Sequence, residues 1–297
     1  MNETLLLKTQ LSSKDVMFVK KGLVARIQRN KIYNLLLQDK RIDGRGPKDL
    51  RPISIQTNLL AKADASALVK MGSTKILTGI KVEVGSPFSD RPDEGIFTVN
   101  AELLPLASTT FEPGPPDERG VELARVVDRS LREGKALDLR KLCLVEGEKV
   151  YVLFIDIYVL DYDGNYFDPA LISALAALAT LKIPKYEVVD GKVEKTDEYF
   201  QLELTSLPFS VMIGIIGEKF LVDPQIEEEK VLDVSLIIGT DEKGNIVSIQ
   251  KNSPGPIPIN LMDSIMETAV EKTEEIRRKF LQEVPVKLAS QEEEGRT

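Results

Sequence analysis

The chain of 297 residues is 42% hydrophobic, 29% charged and 6% aromatic, the balance of a folded globular protein long enough for two modules. It has no His and a single Cys, which excludes Ser–His and Cys–His nucleophilic systems, histidine metal ligands and an intrachain disulfide. A net charge of −8 argues against nucleic-acid binding over the whole surface but leaves room for a local basic patch.

Met1–Leu11 lacks the apolar core and cleavage site of a secretory signal, and no run of 18 apolar residues follows, so a cytoplasmic protein without a membrane span is expected. Ser13–Asp39 reads as an amphipathic helix. Ser12 or Ser13 can cap it, and Val16, Val19, Leu23, Ile27 and Leu35 share one face. Its Lys20, Lys21, Arg26, Arg29 and Lys31 make either a solvated face or an RNA contact. The turn Asp43-Gly44-Arg45-Gly46 precedes strand-like segments at Ile53–Leu60, Ala65–Met71, Thr74–Val84 and Ile96–Leu103, with Gly72-Ser73 as a hairpin turn. Phe111-Glu112-Pro113-Gly114-Pro115-Pro116 is a loop that delivers the chain to a helix from about Asp117 to Glu133.

Cys143 reads as a buried structural thiol. Val150–Leu160 is an apolar, β-branched strand closed by a turn at Asp161–Asn165. Pro169–Leu181 is an alanine-rich helix, apolar nearly all round and therefore expected to be buried. The polar stretch near Asp190–Thr196 marks a lobe boundary. Beyond it, strands are expected at Tyr199–Leu204, Ser210–Ile216, Lys219–Val222, Asp233–Gly239 and Ile246–Lys251. Asp241–Asn245 is a hairpin turn, Asn260–Leu281 a final helix, and a frayed polar tail follows. Strands then helices, twice over, describe an α+β protein of two similar βα lobes.

Arg125, Arg129 and Arg132 recur at i, i+4 and i+7, one stripe of the Asp117–Glu133 helix. Like charges one turn apart cost an isolated helix about 0.2–0.5 kcal/mol, so an anion should offset them. Local pairs are one answer, Glu122 with Arg125 and Asp128 with Arg132. A phosphate rail is the other, suited to the planar donor fork of Arg. The carboxylates of Asp223, Glu227, Glu228, Glu229 and Asp233 fit either a Mg²⁺ or acid–base cluster or a solvated acidic turn before a strand. Gly164 lies in a turn before a helix, where N–H groups often receive a phosphate. Here Asn165, Tyr166, Phe167 and Asp168 supply bulk and an acid instead of small residues and a cation. No aromatic platform for bases is evident, and Phe88 and Phe97 are expected in the core or at an interface.

From about Arg41 to the final helix, an ordered set of motifs resembles the ribonuclease PH family. The motifs are Asp43-Gly44-Arg45 with Leu50-Arg51-Pro52; Ala65-Ser66-Ala67-Leu68-Val69 with Gly72-Ser73-Thr74; and Glu102-Leu103-Leu104-Pro105-Leu106. Arg119 follows, with Val121-Glu122-Leu123-Ala124-Arg125 and Asp128-Arg129-Ser130-Leu131-Arg132, then Val159–Gly164 and Val222-Asp223-Pro224. Within the family, the run from Phe111 through Arg129 and the pair Glu227-Glu228 resemble the non-catalytic ring subunit of the archaeal exosome.

The resemblance implies a ribonuclease PH fold: a helical extension at 1–40, a first domain at 41–190 of the ribosomal-protein-S5-domain-2-like type, a smaller second domain at 191–285 and a tail at 286–297. It implies a hexameric ring, a trimer of heterodimers with a catalytic paralogue, carrying RNA-binding cap proteins and degrading single-stranded RNA from the 3′ end with phosphate. No cofactor or metal belongs to this chain in that scheme. Catalytic members clamp phosphate with a Gly-Thr-Arg or Gly-Ser-Arg turn, whose last two positions fall here on Tyr166 and Phe167. Their paired Asp fall on Glu227 and Asp233. The resemblance therefore implies a subunit without catalysis, in which Arg125 and Arg129 hold RNA phosphates and Arg119 and Arg132 are further candidates. The other reading is an active phosphorolytic exoribonuclease using Glu227 and Asp233 with Mg²⁺, with Lys251 replacing the missing arginine.

Overall fold

A computed structural model describes residues 26–189 and 192–289. Residues 26–36 form α1; the first part of the expected Ser13–Asp39 helix and the tail from 290 onward lie outside the described residues. The first lobe is built on β1 (Ile53–Thr57), β2 (Ala65–Met71), β3 (Thr74–Gly85), β4 (Ile96–Leu103), β5 (Cys143–Val145) and β6 (Lys149–Asp161). Their spatial order is β1-β2-β3-β6-β4, with β5 paired to β6 at the side. β4 runs parallel to β6, and the other pairings are antiparallel. The Gly72-Ser73 turn joins β2 to β3 as expected, Met71 facing Thr74 across it, and Gly72 takes the left-handed φ of +59° that such a turn needs. β6 alternates as a half-covered strand should: Leu153, Ile155, Ile157 and Val159 are buried, while Phe154, Asp156 and Tyr158 on the other face are half-buried.

Two helices cover the inner face of this sheet. α2 (Glu118–Glu133) is capped by Asp117, whose carboxylate accepts from the N–H groups of Arg119 and Gly120. It lays Leu123, Val127 and Leu131 inward and packs along β4. α3 (Phe167–Ala179) is buried at every residue because it lies between two sheets, against β2 and β3 on one side and the second lobe on the other. The hairpin β7 (Lys182–Val189) and β8 (Lys192–Gln201) follows.

The second lobe is an antiparallel sheet of β9 (Phe209–Ile216), β10 (Lys219–Val222), β11 (Val234–Thr240) and β12 (Ile246–Asn252), in the order β10-β9-β11-β12. The one-turn α4 (Ile226–Glu229) precedes β11, and α5 (Met262–Glu283) packs Ile265, Ala269, Ile276 and Phe280 onto β9 and β11. Several expectations shift here. The boundary expected near Asp190–Thr196 falls inside the β7–β8 hairpin, and the chain reaches the second sheet only after Gln201. The strand expected at Tyr199–Leu204 stops at Gln201, and Leu204 instead bridges Leu288. Cys143 opens the edge strand β5 and is half-buried, not core.

The lobes are locked by two buried arginines. Arg51 donates from Nε (2.8 Å) and Nη2 (2.7 Å) to the two oxygens of Asp223, and its backbone N–H adds a third bond at 2.9 Å. Its remaining donors reach the carbonyls of Asp163 (2.7 Å) and Gly164 (3.1 Å), so one guanidinium ties both lobes. Arg41 does the same nearby, pairing with Glu228 and donating to the carbonyls of Val222 (2.7 Å) and Asp223 (2.8 Å). Burial pushes the Asp223 carboxyl up, but the hydrogen bonds and charges of Arg51 and Arg45 outweigh it and hold the group below the usual carboxylate value. Breaking one side of such a pair leaves a buried charge uncompensated. Asp223→Leu should therefore lose about 3–5 kcal/mol in urea unfolding, and the double variant Arg51→Met, Asp223→Leu should recover part of it. A loss below about 1 kcal/mol for the single variant would contradict this account.

Candidate functional site

The turn expected to correspond to the phosphate loop is closed from three sides. Gly164 has a φ of +78°, and a Cβ there would lie 2.5 Å from the backbone of Pro224 and Gln225, so the turn is pressed against the segment entering α4. Tyr166 and Phe167 are 6% and 2% exposed. Their rings continue a packed row Phe111–Tyr162–Tyr166–Phe167, with centroids 5.2, 5.5 and 4.6 Å apart. Tyr162 donates to Glu229 at 2.9 Å, and burial plus that neighbouring carboxylate push the Tyr162 and Tyr166 phenols far above their ordinary value. Below the turn, the fully buried Asp168 accepts from Asn165 Nδ2 (2.7 Å), Met212 N–H (2.8 Å) and Ser210 Oγ (3.0 Å).

Each carboxylate of the acidic cluster has a partner within the chain. Asp223 belongs to Arg51 and Arg45, Glu228 to Arg41, and Glu229 to Tyr162 and the Asn165 N–H. Glu227 pairs with Lys230 at 2.8 Å and with Gln28. Asp233 accepts from Arg29 at 2.7 Å and from the Gly217 N–H at 2.7 Å. Gln28 and Arg29 both come from α1, so that helix engages the two carboxylates that the resemblance aligns with the family's paired Asp, and Glu227 stays exposed. Hydrogen bonds from Lys230 and Gln28 hold the Glu227 carboxyl low; for Asp233, partial burial pushes up, but Arg29 and Gly217 outweigh it. Among the described residues no group of His, Cys, Asp or Glu is arranged to hold a metal ion. Lys251 donates to the Ser253 carbonyl at 2.8 Å on the outer strand β12.

The arginine stripe is resolved residue by residue. Arg132 is paired with Asp128 at 2.8 Å and lies over the Phe97 ring at 4.2 Å. Arg119 grips its own helix cap, bonding Asp117 at 2.5 Å and the Thr110 carbonyl at 3.1 Å, and stacks on Phe111 at 4.9 Å. Of the local pairs that spacing allows, Glu122 with Arg125 is not formed; Glu122 accepts instead from Gln250 of β12 at 3.2 Å. Arg125 and Arg129 are both exposed and have no carboxylate partner among the described residues; Arg129 makes one long bond, 3.4 Å, to Gln250. They stand between two open grooves of about 660 and 670 Å³, one walled by β4 and the Phe88 loop, the other by the start of α2 and Gln250. Phe97 is buried as expected, whereas Phe88 is exposed. The contacts of Gln250, Gln28 and Arg29 had no local sequence signal, since their partners lie more than a hundred residues away.

Family models described as 3′ exoribonuclease family match domain 1 over residues 49–184 and domain 2 over residues 206–272. The exosome complex component Rrp42 of Thermococcus gammatolerans is 48% identical over 264 residues, covering 88% of this chain and 97% of that protein. The chain belongs to this family. The same component of Pyrococcus abyssi is 49% identical over 264 residues, covering 88% of the chain and 96% of the relative. A solved chain of the Archaeoglobus fulgidus exosome, described as having RNA bound to the active site, aligns with a TM-score of 0.80 and 44% identity, over 87% of this chain and 99% of that one. A chain of an archaeal exosome core aligns with a TM-score of 0.77 and 39% identity, over 88% and 99%. Among the described residues no helix is long and apolar enough to cross a membrane.

The acid under the turn gives the site a pH signature. Burial pushes the Asp168 carboxyl up to about 7, against the hydrogen bonds from Asn165, Met212 and Ser210. An acid whose folded pKa lies above its unfolded value, about 3.9, adds stability below the unfolded value and loses it as pH rises through the folded one. Asp168→Asn mimics the protonated acid: its oxygen can accept from Asn165 and Met212 while its amide donates to Ser210. The variant should gain stability relative to the wild type between about pH 5 and about pH 8 in urea unfolding. Identical curves would contradict the assignment.

Proposed function

We propose that the chain is a non-catalytic ring subunit of an archaeal exosome, holding RNA for a catalytic ribonuclease-PH-like partner. The observation that carries the reading is a contrast of cations. Arg125 and Arg129 stand exposed on α2 with no carboxylate partner among the described residues, whereas the arginine position of the phosphate turn is Phe167, buried in an aromatic row. A buried phenyl ring offers an attacking phosphate no hydrogen bond and no charge. Two exposed guanidinium groups one helical turn apart, about 6 Å along the axis, offer successive RNA phosphates a fork each. Such contacts position a strand without reading its sequence.

Arg119 and Arg132 are secondary in this scheme, because each already has a carboxylate and an aromatic ring. The kinship with Rrp42 components of the exosome supports a ring arrangement with the paralogue and with RNA-binding caps. An active site on this chain would need Glu227, Asp233 and Lys251 to be free, and the ion pairs of the first two and the carbonyl contact of the third count against it.

The test is 3′ degradation of single-stranded RNA with phosphate and Mg²⁺ by this chain alone, by the paralogue alone and by the two co-assembled. The expected result is silence from this chain and a pair that outperforms the paralogue. Arg125→Glu with Arg129→Glu should weaken the pair and flatten the dependence of log K on log salt by about 1.4, the value for two phosphate contacts to a single strand. Nucleoside diphosphates released by this chain alone, or an unchanged salt slope, would overturn the reading.

A further inference from the structure

The groove beside Arg125 contains an exposed apolar group that phosphate binding leaves unused. Phe88, in the loop between β3 and β4, has 59% of its surface exposed. The Arg91 N–H donates to the Phe88 carbonyl at 3.1 Å and the two residues form an isolated bridge, so the backbone beneath the ring is held in a turn. The same groove is lined by Arg125 and Arg129 on its α2 wall and floored by β4 from Ile96 to Ala101. Its other aromatic, Phe97, is buried under Arg132. An exposed phenyl lining one groove with two guanidinium groups that have no carboxylate partner among the described residues suits a ligand that carries a flat apolar face and anions together. A single-stranded nucleic acid has both, the π-face of each base and the phosphate between bases. An apolar protein surface would suit Phe88 but would strip water from Arg125 and Arg129 without supplying charge, which is costly.

We infer that Phe88 is a stacking platform for one nucleobase of the RNA strand whose phosphates Arg125 and Arg129 hold. This rests on the RNA-holding reading above and adds a base contact to it. Because every base presents a π-face, the contact is tolerant of sequence.

The test uses the full chain and two single-stranded probes of equal length, an oligoadenylate and its abasic ribose–phosphate counterpart, with binding read by fluorescence anisotropy. Phe88→Ala should weaken oligoadenylate binding about fivefold or more, leave abasic binding unchanged, and be rescued by Phe88→Tyr. Arg125→Ala should weaken both probes alike. If Phe88→Ala affects neither probe, or both equally, while Arg125→Ala weakens both, stacking is wrong and RNA holding survives. If Arg125→Ala and Arg129→Ala change neither probe, the RNA-holding reading itself fails. A Phe88→Ala chain with intact affinity for both probes but impaired assembly with its paralogue, read by sedimentation, would assign the ring to a protein contact and overturn the inference.

Discussion

The bidentate pair between Arg51 and Asp223 is the constraint on which the rest depends. It lies in the seam of the two lobes, and the same guanidinium also holds the carbonyls of Asp163 and Gly164. The strand-to-helix turn is thereby pulled onto the backbone leading into α4, where Gly164 has no space for a Cβ. A buried ion pair of this kind contributes little net stability against an apolar substitute of the same volume. What it does is join the elements: Arg51 and Arg41 together bond the turn after β6, the end of β10 and α4.

That arrangement divides the charges into two sets. Around α4 and α1, an acidic stretch that looks fit for metal or acid–base chemistry is matched acid by acid with Arg, Lys, Tyr and backbone donors. On α2 the reverse holds. The helix lies between the edge strands β4 and β12, and Gln250 of β12 takes the acid that would otherwise neutralise Arg125. Arg125 and Arg129 are thus left without a carboxylate partner among the described residues, while Glu122 stays in the same groove on the amide of Gln250. At the turn after Gly164, Tyr166 and Phe167 are buried against each other and leave no exposed cation there.

Much of this was legible in the sequence wherever the physics is local. The all-round apolar pattern of Pro169–Leu181 announces a helix between layers, and α3 is buried on every side. Gly72-Ser73 announces a two-residue turn, and two aromatics after Gly164 announce a turn filled by side chains, where Tyr166 and Phe167 are buried. The Arg132–Asp128 pair follows from helical spacing alone. What spacing could not reveal depends on contacts distant in the chain. Glu122 answers to Gln250, Asp233 to Arg29, and Glu227 to Gln28. The hairpin of β7 and β8 was hidden because only its base packs on the core, through Ile183, Tyr186 and Phe200, while its charged outer half reads as a linker.

The measurement that bears most directly on the account is an experimental structure of the full chain with its paralogue and a single-stranded RNA in phosphate buffer. The account predicts successive RNA phosphates within hydrogen-bond distance of Arg125 and Arg129, and no anion against Gly164–Phe167. A phosphate seated on that turn, with Tyr166 and Phe167 displaced from their aromatic row, would contradict it.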